Sequence, residues 1–202
     1  IAYPTLAGGE SFARSIVADL IAPGTEEIIL DIPMTAERAP AQQAYDRGAD
    51  AIAARLAAGQ DVVCLCEGDP FFYGSFMYLF ARLSSRFDTE VVPGVTSVTA
   101  CAARSGRPLV ARNERLTILP GPMERAELEV RIAGAEAVAI MKVGRHLEKI
   151  RDVIASLGLL DRAVYVERAT LDSEVVLPLT DVTGPAPYFS MILMTKGADP
   201  WL

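Results

Sequence analysis

Short apolar runs alternate along the chain with stretches whose apolar residues recur at helical spacing, the pattern of parallel β-strands joined by crossover helices. DVVCLC at 61–66 is apolar on successive positions, so it is expected to form a strand covered on both faces. A helix is expected from about Ser75, because Phe76, Leu79, Phe80 and Leu83 fall at i, i+3, i+4 and i+7. TEVVPG at 89–94 repeats the plan with a strand, a Pro-Gly turn and a helix opening near Thr96 and running through Cys101 to Ser105. Gly106 and Pro108 end that helix in the usual order. After PLVARNE a second series begins: strand RLTILPG, a helix near Glu124–Ala133, strand AVAIMKV, a helix from about Arg145 to Leu157, strand AVYVERAT, and a last apolar run YFSMILM.

The simplest partition is two α/β lobes, residues 1–112 and 113–202. The opening IAYP is expected to be the end of a strand whose beginning precedes Ile1. TAERAPAQQAYDRG at 35–48 is polar and irregular and is expected to be a loop or a shortened segment.

Bulk properties narrow the choice of function. With 202 residues, 51% hydrophobic and 22% charged, the chain can bury one large or two modest cores. No apolar run approaches the roughly 18–20 residues a membrane span requires, and a soluble, cytoplasmic protein is expected. Of the three cysteines, Cys64 and Cys66 lie too close along one strand to pair easily, so no disulfide framework is expected. A net charge of −7 argues against a broad nucleic-acid surface, which needs clustered Lys and Arg.

In open α/β sheets, ligands sit beyond the carboxyl ends of the strands. CEGDPFFYGS at 66–75 occupies such a position: Gly68 lets the backbone approach a ligand, Pro70 stiffens the turn and Asp69 offers a carboxylate. Asp69 is equally placed to cap the following helix. PGVTS at 93–97 repeats the arrangement one crossover later, with Thr96 or Ser97 as N-cap, so the two bends can form two sides of one cleft.

The chain lacks GxxxxGK[ST] and lacks GxGxxG before a helix, which removes the usual anchors of nucleotide phosphates. Metal and nucleophile chemistry also want for parts. His146 is the one histidine, Cys64-x-Cys66 lacks zinc spacing, and there is no Gly-x-Ser-x-Gly elbow. No metal site is expected, no catalytic residue is singled out, and His146 reads as a helix-surface residue. Chemistry that leans on an activated cofactor fits this scarcity. RSGRPLVARNER at 104–115 holds four Arg against one Glu, and KVGRHLEKIR at 142–151 is also basic. These local reversals of sign suit a ligand bearing carboxylates, and equally suit solvated helix faces and a linker.

EGDPFFYGS, VVPGVTS, CAARSGRPL, IMKVGRHLEKI, YVERAT and PYFSMIL together resemble the tetrapyrrole (corrin/porphyrin) methylases, over most of the chain. The resemblance implies a class III methyltransferase fold of two α/β lobes. Its N-terminal sheet is mostly parallel, its C-terminal sheet mixed, and its active site lies in the cleft between lobes. It implies S-adenosylmethionine as methyl donor, a tetrapyrrole as small-molecule substrate and a homodimer. Carried over residue by residue, cofactor contacts fall on Glu67, Gly68, Asp69, Phe72, Thr96, Ser97, Met141 and Ala169, and Arg104, Arg107, Arg112 and Arg145 become candidates for the substrate carboxylates.

The glycine-rich loop that lies over the tetrapyrrole trough in relatives is not seen before Ile1. FFYGSFMYL, MKVGRH and YFSMIL are most similar to the branch that methylates carbon 20 of precorrin-2 in cobalamin biosynthesis. Three other readings compete: the cobalt-containing substrate, another methylase of this fold acting on diphthine or ribosomal RNA ribose, and a small-ligand-binding module without catalysis.

Overall fold

The computed structural model describes residues 1–6, 8–33 and 37–197. The chain divides into two compact units, Ile1–Thr96 and Ser97–Leu202.

In the first unit a two-stranded parallel sheet pairs β1 (Ala2–Leu6) with β2 (Ile28–Ile32), Ala2 opposite Ile28. The short helix α1 (Phe12–Ile16) connects them, opened by Ser11, whose hydroxyl accepts the Arg14 N–H. Arg14 in turn grips Glu27 with two nitrogens at 2.6 and 2.8 Å, and the Tyr3 hydroxyl donates to the same carboxylate. One face of the sheet packs on α2 (Arg38–Ala57) and α3 (Phe76–Leu83), with Ala2, Leu30, Tyr45, Ala49, Ile52, Ala53, Leu79 and Leu83 as its core. Helix α3 appears where the i, i+3, i+4, i+7 spacing places it.

Part of 35–48 corrects the expectation of a loop, because residues 38–48 lie in α2; Thr35 falls outside the described residues. The segment is helical for two physical reasons. It is rich in Ala, Gln and Arg, which favour helix, and Pro40 sits in the first turn, where a missing N–H breaks no hydrogen bond. Its apolar face is made largely of small residues: Ala44, Tyr45, Ala49, Ile52 and Ala53 are its buried hydrophobic side chains.

DVVCLC and TEVVPG are also corrected, since neither forms a regular strand. Residues 61–66 run parallel to β1 but pair at one bridge, Cys64 opposite Ala2, with the Ala2 N–H on the Val63 carbonyl and the Leu65 N–H on the Ala2 carbonyl, both at 2.8 Å. A ladder needs partners along its length, and a run joined at one residue has none to extend it. Burial on both faces does not follow either: Val63 and Val92 are exposed.

In the second unit a five-stranded mixed sheet has the order β3-β4-β7-β5-β6, with β3 (Leu116–Pro120), β4 (Ala137–Met141), β5 (Ala163–Glu167), β6 (Val175–Pro178) and β7 (Ser190–Thr195). β3 and β4 are parallel, and β7 runs antiparallel to both β4 and β5. α5 (Arg125–Gly134) and α6 (Leu147–Ser156) cover one face, and α4 (Ser97–Ser105) packs on β5 and β7. β4 is therefore buried along its whole length, as a strand sandwiched between helical layers is. Leu128, Ile132, Ile140, Ile150, Ile154 and Ile192 are wholly inaccessible in the core, each contributing about 1.5–3 kcal/mol by leaving water. Because β3, β4 and β5 point the same way, their carboxyl ends share one edge of the sheet.

Candidate functional site

The two glycine bends of the first unit meet. The residue after Glu67, Gly68, is left-handed at φ +65°, a conformation that glycine adopts without penalty. It turns the chain so that one oxygen of Asp69 accepts the Phe71 N–H at 2.9 Å and the other accepts the Gly94 N–H at 3.0 Å. These two bonds, Gly94 first and Phe71 second, hold the Asp69 carboxyl below the usual carboxylate range. The bends also touch through their backbones. A Cβ on Gly94 would lie 2.1 Å from the Gly68 carbonyl oxygen, so only glycine fits there.

Around this tie the backbone faces water. Glu67, Gly68, Pro93, Gly94, Val95 and Ser97 are exposed, while Asp69, Phe72 and Thr96 are partly covered. Phe71 lies on the α3 aromatics, its ring 5.0 Å from Phe80, and Phe72 meets Tyr73 edge-on at 5.2 Å. Thr96 precedes the first residue of α4, Ser97.

In the second unit the predicted residues gather at the shared carboxyl edge of the sheet. Met141 ends β4 and pairs with Met191 of β7, which pairs on its other side with Val166 of β5. Ala169 lies three residues beyond Val166, between left-handed Arg168 (φ +47°) and Thr170 (φ +71°). Lys142 is left-handed as well, and its carbonyl lies where a Cβ on Gly121 would come within 2.6 Å. Three strands thus end in tightly turned backbone. Beneath this edge the buried Tyr165 hydroxyl donates to Glu167 at 2.7 Å, and Arg168 pairs with the same carboxylate. Burial first, then the Glu167 bond, pushes the Tyr165 hydroxyl well above its ordinary range, so it stays a proton donor at neutral pH.

Three of the four candidate arginines have different partners. Arg104 on α4 places Nε 2.8 Å from both oxygens of Glu174. Arg107 donates to the Arg162 carbonyl. Arg112 stands in a left-handed turn, and Arg145 approaches His146 in the turn before α6 at 3.5 Å. Burial, then Lys149 and Arg145, lower the pKa of His146, so the histidine is neutral at physiological pH. Sequence reasoning missed Glu174, Gly121 and the Tyr165–Glu167 pair. Glu174 and Gly121 find their partners far along the chain or in a backbone carbonyl, and no local spacing announces them, whereas Tyr165 and Glu167 stand two residues apart on β5, so their i, i+2 spacing was the available signal.

All three cysteines are free, and burial raises each thiol to about 11, which leaves them unreactive at neutral pH. Among the described residues no group of three or more His, Cys, Asp or Glu could hold a metal ion. No described helix is long and apolar enough to cross a membrane.

An α/β fold of this kind is found in solved methyltransferases. A cobalt precorrin-4 methyltransferase aligns with a TM-score of 0.68 at 21% identity, covering 96% of this chain and 83% of its own. A uroporphyrin-III C-methyltransferase from Thermus thermophilus, complexed with S-adenosylhomocysteine, aligns at 0.62 with 23% identity and 96% of each chain. The family model for the tetrapyrrole (corrin/porphyrin) methylases matches residues 4–182, and the chain belongs to that family.

More particular relatives share sequence as well as fold. A precorrin-2 C(20)-methyltransferase from a Sinorhizobium species is 43% identical over 98% of this chain and 85% of its own length. A cobalt-precorrin-2 C(20)-methyltransferase from Salmonella typhimurium is 32% identical over 94% of this chain and 81% of its own. The cobalamin biosynthesis protein CobIJ of Mycobacterium tuberculosis is 41% identical over 98% of this chain, which spans 41% of that longer protein.

Proposed function

We propose that this chain methylates carbon 20 of precorrin-2 with S-adenosylmethionine, giving precorrin-3A in cobalamin biosynthesis. The observation that carries the reading is the 43% identity to the Sinorhizobium enzyme along nearly the whole chain. The residues present fit that donor. The exposed glycine bends offer bare backbone and small polar side chains and no basic cluster, which suits a cofactor without phosphates.

When bound, S-adenosylmethionine supplies a methyl group already activated by its sulfonium. The chain's task is then to align reactants and exclude water, and alignment alone can account for much of a rate enhancement. In this reading Glu67, Gly68, Asp69, Phe72, Thr96, Ser97, Met141 and Ala169 are the cofactor contacts. Asp69 acts by fixing the bends, since its two oxygens are occupied by backbone N–H groups. Arg107, Arg112 and Arg145 are proposed to grip the acetate and propionate arms as charged hydrogen-bond donors, while Arg104 is already engaged by Glu174. The functional boundary between the lobes is proposed at 112/113.

The reading includes a cytoplasmic homodimer that acts on a small molecule and not on nucleic acid, supported by the family resemblance and the acidic net charge of −7. The metal-free substrate is favoured because the Sinorhizobium relative is more similar than the Salmonella one, at 43% against 32% identity. Incubation with S-adenosylmethionine and precorrin-2, followed by mass spectrometry, tests it. One added methyl at carbon 20 is expected; no methylated product, or faster turnover of the cobalt form, contradicts it.

A further inference from the structure

The turn after β5 adopts a backbone that its residues disfavour. Arg168 and Thr170 are both left-handed, at φ +47° and +71°, and for a β-branched residue such as Thr170 that conformation is a true outlier. Strain of this kind persists only where the surroundings over-determine it. Here the surroundings can be named. The Arg168 N–H donates to the Phe189 carbonyl at 2.8 Å, and the Thr170 N–H donates to Glu174 Oε2 at 2.6 Å.

Glu174 is itself held. Its side chain is 13% exposed, and its two oxygens share the Arg104 Nε at 2.8 Å each. Its own N–H closes back on the Leu171 carbonyl at 2.9 Å. Arg104 first, and the Thr170 N–H second, keep the carboxyl below its ordinary range, so it is anionic at neutral pH. One carboxylate therefore links α4 to the strained turn on which Ala169 is presented, across 70 residues of sequence.

We propose that Glu174 is a positioning residue for the methyl-donor site, and that Arg104 supports it there instead of binding substrate carboxylates. Together they hold the Ala169 backbone in the arrangement that presents its small side chain and half-buried peptide to the cofactor. The inference rests on the reading of Ala169 as a cofactor contact.

The test measures three quantities: the affinity for S-adenosylhomocysteine by calorimetry, the KM for precorrin-2 at saturating cofactor, and the melting temperature. The proteins are the wild type, Glu174→Ala, Glu174→Gln, Arg104→Ala and Ala169→Phe. Glu174→Ala is expected to weaken cofactor binding about 10-fold or more, the loss of a charged hydrogen bond, while the substrate KM stays within about twofold. Glu174→Gln still accepts the Thr170 N–H and is expected to recover most of that loss. Arg104→Ala should shift cofactor affinity more than substrate KM.

Wild-type cofactor affinity in Glu174→Ala overturns the proposal, as does an Arg104→Ala variant that changes only the substrate KM. If Glu174→Ala does not fold, Glu174→Gln and Arg104→Ala decide, and wild-type cofactor affinity in both overturns it. Ala169→Phe separates the two levels. Loss of binding there with none in the Glu174 variants sinks the positioning role alone, whereas unchanged binding in Ala169→Phe sinks the reading of Ala169 and the proposal with it.

Discussion

The Asp69 carboxylate bridges two turns that lie 25 residues apart, taking the Gly94 N–H on one oxygen at 3.0 Å and the Phe71 N–H on the other at 2.9 Å. This bridge makes the paired bends one object. Within the first unit it fixes exposed backbone in place without committing a side chain to bulk.

Gly94→Ala tests the closeness of the bends. Its added methyl would sit 2.1 Å from the Gly68 carbonyl oxygen and 3.3 Å from the Asp69 Cα, backbone atoms that cannot swing aside. A stability loss at the upper end of ordinary substitutions, about 3 kcal/mol, is expected by thermal denaturation, together with loss of S-adenosylhomocysteine binding.

Ile52→Ala tests α2 as a core element. Ile52 is buried at 1% exposure against the sheet of the first unit, and its truncation should cost about 2–5 kcal/mol in chemical denaturation. Ala51→Ser, on the exposed side of the same turn, should stay within about 0.5 kcal/mol.

Acid stability should depend on Glu27. The Arg14 guanidinium, and then the Tyr3 hydroxyl, hold its carboxyl down to about 2, below the roughly 4.3 of an unfolded glutamate. A depressed native value means that the contribution is complete above the unfolded value and fades as pH falls toward the native one. Melting temperature should therefore drop between about pH 4.3 and 2 in the wild type. Glu27→Gln should melt lower at neutral pH and show a shallower drop in that window.

Arg145→Ala should raise the KM for the tetrapyrrole about 10-fold, the worth of one charged hydrogen bond, and leave the affinity for S-adenosylhomocysteine within about twofold. Equal losses in both would remove Arg145 from the carboxylate grip.

The elements legible in the sequence are those whose local pattern and tertiary partners agree. The Phe76–Leu83 spacing, the Gly106 stop after α4, and the apolar runs of β3, β4, β5 and β7 all lie where periodicity placed them. α2 was hidden because alanine supplies most of its buried face, and small residues give little amphipathic signal. DVVCLC and TEVVPG misled for the opposite reason: apolar content favours burial, but strand formation also needs a ladder, and residues 61–66 have one bridge. The bends at Gly68 and Gly94 were readable because glycine and proline punctuate a chain locally. The ties of Asp69 to Gly94 and of Arg104 to Glu174 join residues 25 and 70 positions apart and leave no local mark.

Calorimetric titration of S-adenosylhomocysteine into the wild type and Gly68→Asn tests the central claim most directly. Asparagine tolerates the left-handed conformation that Gly68 holds at φ +65°, so the bend is kept while a side chain is placed on its exposed surface. Saturable binding by the wild type, weakened about 10-fold or more in the variant with an unchanged melting temperature, is the predicted result. Equal affinities in the two proteins would contradict the assignment of the bends as the methyl-donor site.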